Sequence, residues 1–282
     1  MKKFVLCCLA LLPFLSPLGA QVRLESWQTD PVTGLKTGVK ATSAGDVDET
    51  MGVMRGRTYI APNGKKFRRG TTRKAARLML SVQPQMAQVK EVIAYSTRPM
   101  LRTYPESELG NWTADLLRRI VADSVGRKVD IAITNKGSLR IDMPAGPVLY
   151  DDIMSMFPFK NNLVYLSLRG RDVRAILEQM AATRWQVVGG CRAVVANGKL
   201  VSVTVDGKPL DDNALYGVAT NSFLLDGGDG FFLEKNAEEK IVCTGYVYDG
   251  VLQYVRKLTA AGRPIEYHLD ERIVILQEGD NE

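Results

Sequence analysis

The sequence has one histidine in 282 residues. Zinc hydrolases, dinuclear metallophosphatases and Ser-His-Asp enzymes all draw on histidine for ligands or bases, so that scarcity argues against a self-contained enzyme of these classes. His268 stands in Glu266-Tyr267-His268-Leu269, whose alternation suits a strand, and it reads as a surface or edge-strand residue. Cysteine is almost as scarce. Of the 4 present, Cys7 and Cys8 fall in the first apolar run, which leaves Cys191 and Cys243. These two read as small buried groups on strands, since nothing in the pattern brings them together to pair. Long hydrophobic runs are absent as well. The run from Phe4 to Leu15 is too short to cross a bilayer, which takes about 20 residues, and no later stretch is longer. Charge excess is small, with 37 basic residues against 31 acidic ones. A balance of that size gives no reason to expect nucleic acid as a partner.

What is there begins with Met1-Lys2-Lys3, an apolar run, and Ser16-Pro17-Leu18-Gly19-Ala20. A charged start, a short apolar stretch and a small-residue exit read as a secretory signal peptide over residues 1–20, cleaved near Ala20. The expected location is therefore periplasmic or secreted. Removing that leader takes away Lys2 and Lys3 and lowers the formal charge from +6 to +4. Residues 21–70 are polar and weakly patterned, with turns at Asp30-Pro31 and Pro62-Asn63-Gly64. They read as an extended arm, with short strands possible only at Leu24–Trp27 or Arg57–Ile60. Lys65, Lys66, Arg68, Arg69, Arg73, Lys74 and Arg77 form a basic cluster, read as a solvated loop feeding a helix.

Residues 71–282 carry the expected domain. The apolar spacing predicts a helix over 72–93, kinked or split at Pro84. Further helices are expected at 108–125, 150–156, 170–182 and 249–258. Strands are expected at 129–134, 163–168, 192–195, 200–205, 216–220 and 272–276. Asn197-Gly198 marks a hairpin between two of them. Strands and helices alternate without strict βαβ spacing, which predicts an α+β fold with a mixed sheet.

Several segments are chemically distinctive. Glu106-Ser107-Glu108-Leu109-Gly110-Asn111-Trp112 opens a helix. A strand ends in Thr134-Asn135-Lys136-Gly137-Ser138-Leu139-Arg140. Phe157-Pro158-Phe159-Lys160-Asn161 and Ala219-Thr220-Asn221-Ser222-Phe223-Leu224-Leu225-Asp226-Gly227-Gly228-Asp229-Gly230 follow. Val201 to Leu210 adds a β-hairpin segment. In this order and spacing, the segments resemble the C-terminal, substrate-binding domain of the 5'-nucleotidase family, over roughly residues 90–276.

The resemblance implies a four-layer α/β/β/α domain that holds the nucleoside part of a nucleotide. It implies that Phe159 and Phe223 sandwich the base, which suits stacking because every base has a π-face. Asn135 and Arg140 fall on the family's polar loop, and Asp229 on its acidic turn. Arg102, with Arg98 as second choice, falls nearest an upstream substrate-binding arginine. Lys136 and Ser138 stand where the family loop has glycines, and Lys136 would either block the pocket or face a phosphate. The resemblance also implies that hydrolysis belongs to a metallophosphoesterase domain, with divalent metals as the only cofactors and none in this chain. The expected role is recognition of a nucleoside or nucleotide, with a separate metallophosphoesterase chain supplying catalysis in nucleotide catabolism. A stand-alone nucleoside-binding protein and a diverged interaction scaffold are the alternatives.

Overall fold

The computed structural model describes residues 36–40 and 47–276. The expected signal peptide, the strand considered at 24–27 and the turn at Asp30-Pro31 lie outside the described residues.

A short helix α1 (Val47–Met51) leads into an antiparallel sheet of β1 (Val53–Arg55), β2 (Thr58–Ile60) and β3 (Lys66–Phe67). The sequence suggested an extended arm here, with a short strand possible at Arg57–Ile60, and that strand forms as β2. The strands are only two or three residues long, too short for an alternating pattern to stand out. Tyr59 secures them: its ring is buried, stacks on Phe67 with centroids 5.9 Å apart, and its hydroxyl donates to the Met51 carbonyl at 2.7 Å. Helix α2 (Thr71–Val82) follows, then a 3-10 turn over Gln83–Met86. The helix expected to run to 93 is therefore split near Pro84, whose ring and missing N–H bar an α-helical continuation.

The chain continues with β4 (Val92–Ser96), α3 (Glu108–Val125), β5 (Ile131–Thr134), β6 (Gly146–Leu149), α4 (Tyr150–Met156) and β7 (Asn162–Arg169). Next come α5 (Gly170–Ala182), β8 (Val187–Gly189), β9 (Cys191–Ala196), β10 (Lys199–Val205) and β11 (Lys208–Pro209). The last elements are β12 (Leu215–Asn221), β13 (Glu239–Tyr246), α6 (Val247–Ala260) and β14 (Ile273–Leu276). Five strands form one sheet in the order β13-β7-β12-β5-β8, with β12 and β5 parallel. Four form another, β11-β10-β9-β14, with β14 parallel to β9, and β4 pairs with β6 alone. The fold is α+β with mixed sheets. Asn197 and Gly198 both take positive φ, 50° and 72°, and turn β9 into β10 as their sequence signalled.

The five-stranded sheet is covered on both faces, and its alternation shows it. Ala132, Leu163 and Tyr165 join one cluster with Leu117 and Val121 of α3 and Val251 and Val255 of α6. Ile131, Ile133, Val164 and Leu166 join another with Val173, Leu177 and Met180 of α5 and Val195 and Val203 of the smaller sheet. All four residues of β5 are buried, as expected of a strand with no solvent face. Cys191 and Cys243 are free and buried in different clusters, on β9 and β13. Burial pushes the Cys191 thiol up to about 12, which keeps it protonated and unreactive.

Topology then creates one crowded end. Parallel β5 and β12 finish together, at Thr134 and Asn221, while antiparallel β7 starts beside them. The loops beginning at 135 and 222 and the loop ending at 161 all meet there.

Candidate functional site

Asn221 ties these loops together. It is 1% exposed. Its amide nitrogen donates to Thr134 Oγ1 at 2.8 Å and to Asn135 Oδ1 at 3.1 Å, and its oxygen accepts the Phe223 N–H at 3.0 Å. Such a residue must be satisfied, because an unpaired buried amide costs about 1–3 kcal/mol. Ser138 Oγ donates back to the Asn135 carbonyl at 2.6 Å. The loop after β5 is thereby folded into a 3-10 turn over Lys136–Ser138.

Arg102 holds the same loop from outside. Its Nε donates to Asp142 at 2.8 Å, and its Nη1 donates to the carbonyls of Arg140 at 2.6 Å and Leu139 at 3.2 Å. Beside it a cavity of about 680 Å³ opens, lined in part by Arg102, Lys136, Arg140, Arg184, Asp142 and Asp229. That volume lies within the range of small-molecule sites, about 300–1,000 Å³. Four cations thus meet two carboxylates, one of them already paired with Arg102. Lys136 is held below the usual lysine range, first by partial burial and then by Arg184 and Arg102. The field in this cavity favours an anion.

Another part of the lining comes from a turn built on backbone shape. Gly227, Asp229 and Gly230 have φ of 93°, 50° and 81°. Gly228 passes so close to Phe223 that a Cβ there would lie 2.0 Å from the Phe223 carbonyl oxygen and 2.8 Å from its ring. Only glycine fits that approach. The turn carries Asp229 to the cavity, where its carboxylate makes no hydrogen bond or ion pair among the described residues.

Arg102, Arg140 and Asp229 therefore line one cavity. Asn135 is buried behind it, bonded to Asn221, and shapes the loop without lining the cavity wall. Phe159 and Phe223 are 38% and 43% exposed. The Arg140 guanidinium lies 5.0 Å from the centre of the Phe159 ring. The crevice under Phe159, floored by Thr134, Ser138 and Asn221, holds only about 10 Å³. Arg98 lies elsewhere. It pairs with Glu108, and donates to the Tyr267 carbonyl at 2.6 Å. His268 is exposed, 3.5 Å from Glu266, and does not line the cavity.

The Glu-Ser-x-Leu-Gly-Asn segment has a folding role. Ser107 caps α3 by accepting the Gly110 N–H at 2.9 Å. Asn111 donates to Glu106, which in turn accepts the Ile273 N–H at 3.3 Å and anchors β14. Tyr104, Arg184 and Gln186 were not singled out from the sequence. Gln186 accepts the Lys136 N–H at 2.9 Å. Asn221 stood within a quoted motif, but only its burial shows it to be the junction.

Residues 86–235, just over half of the chain, match the family described as 5'-nucleotidase, C-terminal domain. Protein UshA of Yersinia enterocolitica is 36% identical over 152 residues, covering 51% of this chain and 27% of that protein. Cell wall protein Lmo0130 of Listeria monocytogenes is 29% identical over 210 residues, covering 68% of this chain and 26% of that protein. The chain thus spans about a quarter of the length of these relatives. Among solved structures, the 5'-nucleotidase precursor of Thermus thermophilus superposes with a TM-score of 0.63 at 28% identity, over 74% of this chain and 43% of that one. The NAD nucleotidase of Haemophilus influenzae shares the fold, with a TM-score of 0.56 at 20% identity over 78% of this chain and 48% of that one. The loops that converge beyond β5 and β12 lie within the matched span, and the chain belongs to the 5'-nucleotidase C-terminal domain family.

Proposed function

We propose that this chain binds a nucleoside or nucleotide and serves as the recognition part of an exported 5'-nucleotidase-type hydrolase. In this reading the base stacks between Phe159 and Phe223, and Arg102, Arg140 and Asp229 hold the polar remainder. The four-layer α/β/β/α arrangement belongs to the same reading. The observation that carries it is the meeting of those three polar residues on one cavity of about 680 Å³. Support for stacking is the exposure of both rings at the end of the sheet where the loops meet. Asp229 is free to accept hydroxyl donors such as those of a ribose.

The hydrolytic half of the family works with metal ions, which clamp a phosphate and activate water. Among the described residues no group of three or more His, Cys, Asp or Glu is placed to hold a metal. These residues do not fit such a centre, and no hydrolytic step is assigned to them. Catalysis is instead ascribed to a separate metallophosphoesterase chain, with nucleoside binding used to position the scissile phosphate.

Thermal unfolding with adenosine, AMP and a UDP-sugar tests the binding. The melting temperature should rise with at least one of them, and Phe223→Ala should abolish the rise. No ligand response in the wild-type protein would refute nucleotide binding. Phosphate release from AMP by a metallophosphoesterase, with and without this chain, tests the division of labour. A response to nucleosides with no gain in that assay would favour a stand-alone binder.

A further inference from the structure

Charge is unevenly placed along the chain, which carries 37 basic and 31 acidic residues in all. Between Glu49 and Glu91, residues 50–90 hold ten basic residues and no acidic one, so the remainder carries 27 basic against 31 acidic. Of the ten, Lys90 is buried and donates to Gln83. The other nine make no ion pair among the described residues. Lys65, Lys66, Arg68, Arg69, Lys74 and Arg77 are all exposed. The stretch lies almost wholly before residue 86, where the family match begins, and none of it lines the cavity of Arg102 and Asp229.

Helix α2 lies inside this stretch, and its apolar stripe points outward. A surface helix ordinarily lays that stripe on a core. Here Arg73, Ala76 and Leu80 are half-buried, with Arg73 bonded to the Arg57 carbonyl of the small sheet. Ala75, Leu78 and Met79 are exposed instead. Lys74 lies one turn before Leu78 on the same face. The first turn contains Arg73 and Lys74 and no acidic residue, and Gly70 provides no side-chain cap. Cations there sit at the positive end of the helix dipole, which disfavours them. The outward stripe and the cationic start both cost the isolated fold stability.

We propose that the outward face of α2, with the basic loop before it, docks on an anionic lipid surface. The helix lies in the plane of the headgroups. Leu78 and Met79 enter the boundary between headgroups and acyl chains, and Lys74, Arg77 and the loop cations meet lipid phosphates. Such a surface covers the apolar stripe and neutralises the cationic start together. The cores of protein interfaces are poor in lysine and rich in aromatic anchors, whereas this region exposes Lys65, Lys66 and Lys74, and α2 has no aromatic residue. A nucleic acid would meet the cations but leave Leu78 and Met79 uncovered. The docking face uses none of the residues assigned to nucleotide recognition.

Flotation of the full chain with vesicles of phosphatidylcholine, alone or mixed with phosphatidylglycerol, tests this. Partitioning should be about tenfold or more stronger onto the anionic vesicles, and should weaken as salt is raised. Leu78→Ser with Met79→Ser, and separately Lys74→Gln with Arg77→Gln, should each lower it about fivefold or more. Arg171→Gln removes an exposed cation from α5 and should change it by less than about twofold. All four α2 side chains are exposed, and unchanged circular dichroism and melting temperature would verify folding. Partitioning that survives both pairs of substitutions, as the apolar run at residues 4–15 alone would give, would overturn the proposal. So would equal partitioning onto neutral and anionic vesicles, or none onto either. Loss with the glutamine pair but not the serine pair would overturn the seated helix. A dimer broken by the serine pair, without vesicle binding, would replace the lipid by a second copy of this chain. Binding of single-stranded DNA without vesicle binding would replace it by a nucleic acid.

Discussion

Two helices of similar amphipathic pattern lie on either side of residue 86, where the family match begins. Helix α3 starts at a serine cap, ends at Gly126 with a φ of 65°, and buries nine residues. Helix α2 starts after Gly70, with no side-chain cap, and buries none of its twelve. Leu78 and Met79 on α2 are 65% and 51% exposed. One tie to the small sheet is the Arg73 Nε donating to the Arg57 carbonyl at 2.5 Å. Periodicity therefore predicts where a helix forms; it does not say whether a core exists for it to cover. Most helical stability comes from packing of the apolar face, so the two helices should respond very differently to truncation.

The largest expected effect is in α3. Leu117 is fully buried in the cluster shared with α6. Leu117→Ala should cost about 3–4 kcal/mol, from lost burial plus the cavity left behind. Urea unfolding followed by circular dichroism checks it. A loss under about 1 kcal/mol would mean that α3 is no better anchored than α2.

The next effect is at the closure of the domain. Arg272 has a 5%-exposed side chain and bonds Asp115 of α3 at 3.0 and 3.1 Å. It also bonds Asp270 at 2.8 Å and the Tyr267 hydroxyl at 2.8 Å. Tyr267 in turn donates to Asp115. Arg272→Met should cost about 3 kcal/mol, near the low end for breaking a buried ion pair, because Asp115 and Asp270 retain some water. A loss no larger than that of a surface arginine would show that α3 does not depend on this tie.

The same network gives a smaller, pH-dependent effect. The hydrogen bond from Arg272 holds the Asp270 carboxyl below the usual range, with burial acting against it. A depressed folded value contributes stability that is complete above the unfolded value, about 3.9, and is lost as pH falls through the folded one. Asp270→Asn should therefore be less stable than wild type at pH 6, by under about 1 kcal/mol given solvent screening. The difference should shrink below about pH 4. A gap that stays constant from pH 6 to pH 3 would remove charge as the cause.

Legibility in the sequence follows the same division. Helix α3 was readable because cap, stripe and αL glycine agree over eighteen residues. The hairpin at Asn197-Gly198 was readable because positive φ leaves few residue choices. Strand β13 went unread: Glu239-Lys240-Ile241-Val242-Cys243-Thr244 does not alternate polar with apolar residues although their exposure does, and its register shifts between Val242 and Tyr246. Of the small sheet before α2, the strand considered at Arg57–Ile60 forms as β2, whereas β1 and β3 went unread because they are two or three residues long and the sheet is secured by Tyr59, a contact with no periodicity. At the cavity, Arg102, Arg140 and Asp229 were named through motif resemblance and lie together. Arg184 and Tyr104 were not named, because they come from loops far apart in sequence whose meeting only the fold creates.

The smallest expected effect belongs to α2. Leu78→Ser and Met79→Ser remove exposed apolar side chains that cover no buried cluster. Each should change stability by no more than about 0.5 kcal/mol, including the modest helix-propensity cost of serine. Chemical unfolding of both variants beside Leu117→Ala puts the two helices on one scale. If either serine variant loses more than about 1 kcal/mol, α2 must have a covered face in solution. The contrast across residue 86 would then be one of degree, because both helices would be held by the same kind of apolar packing.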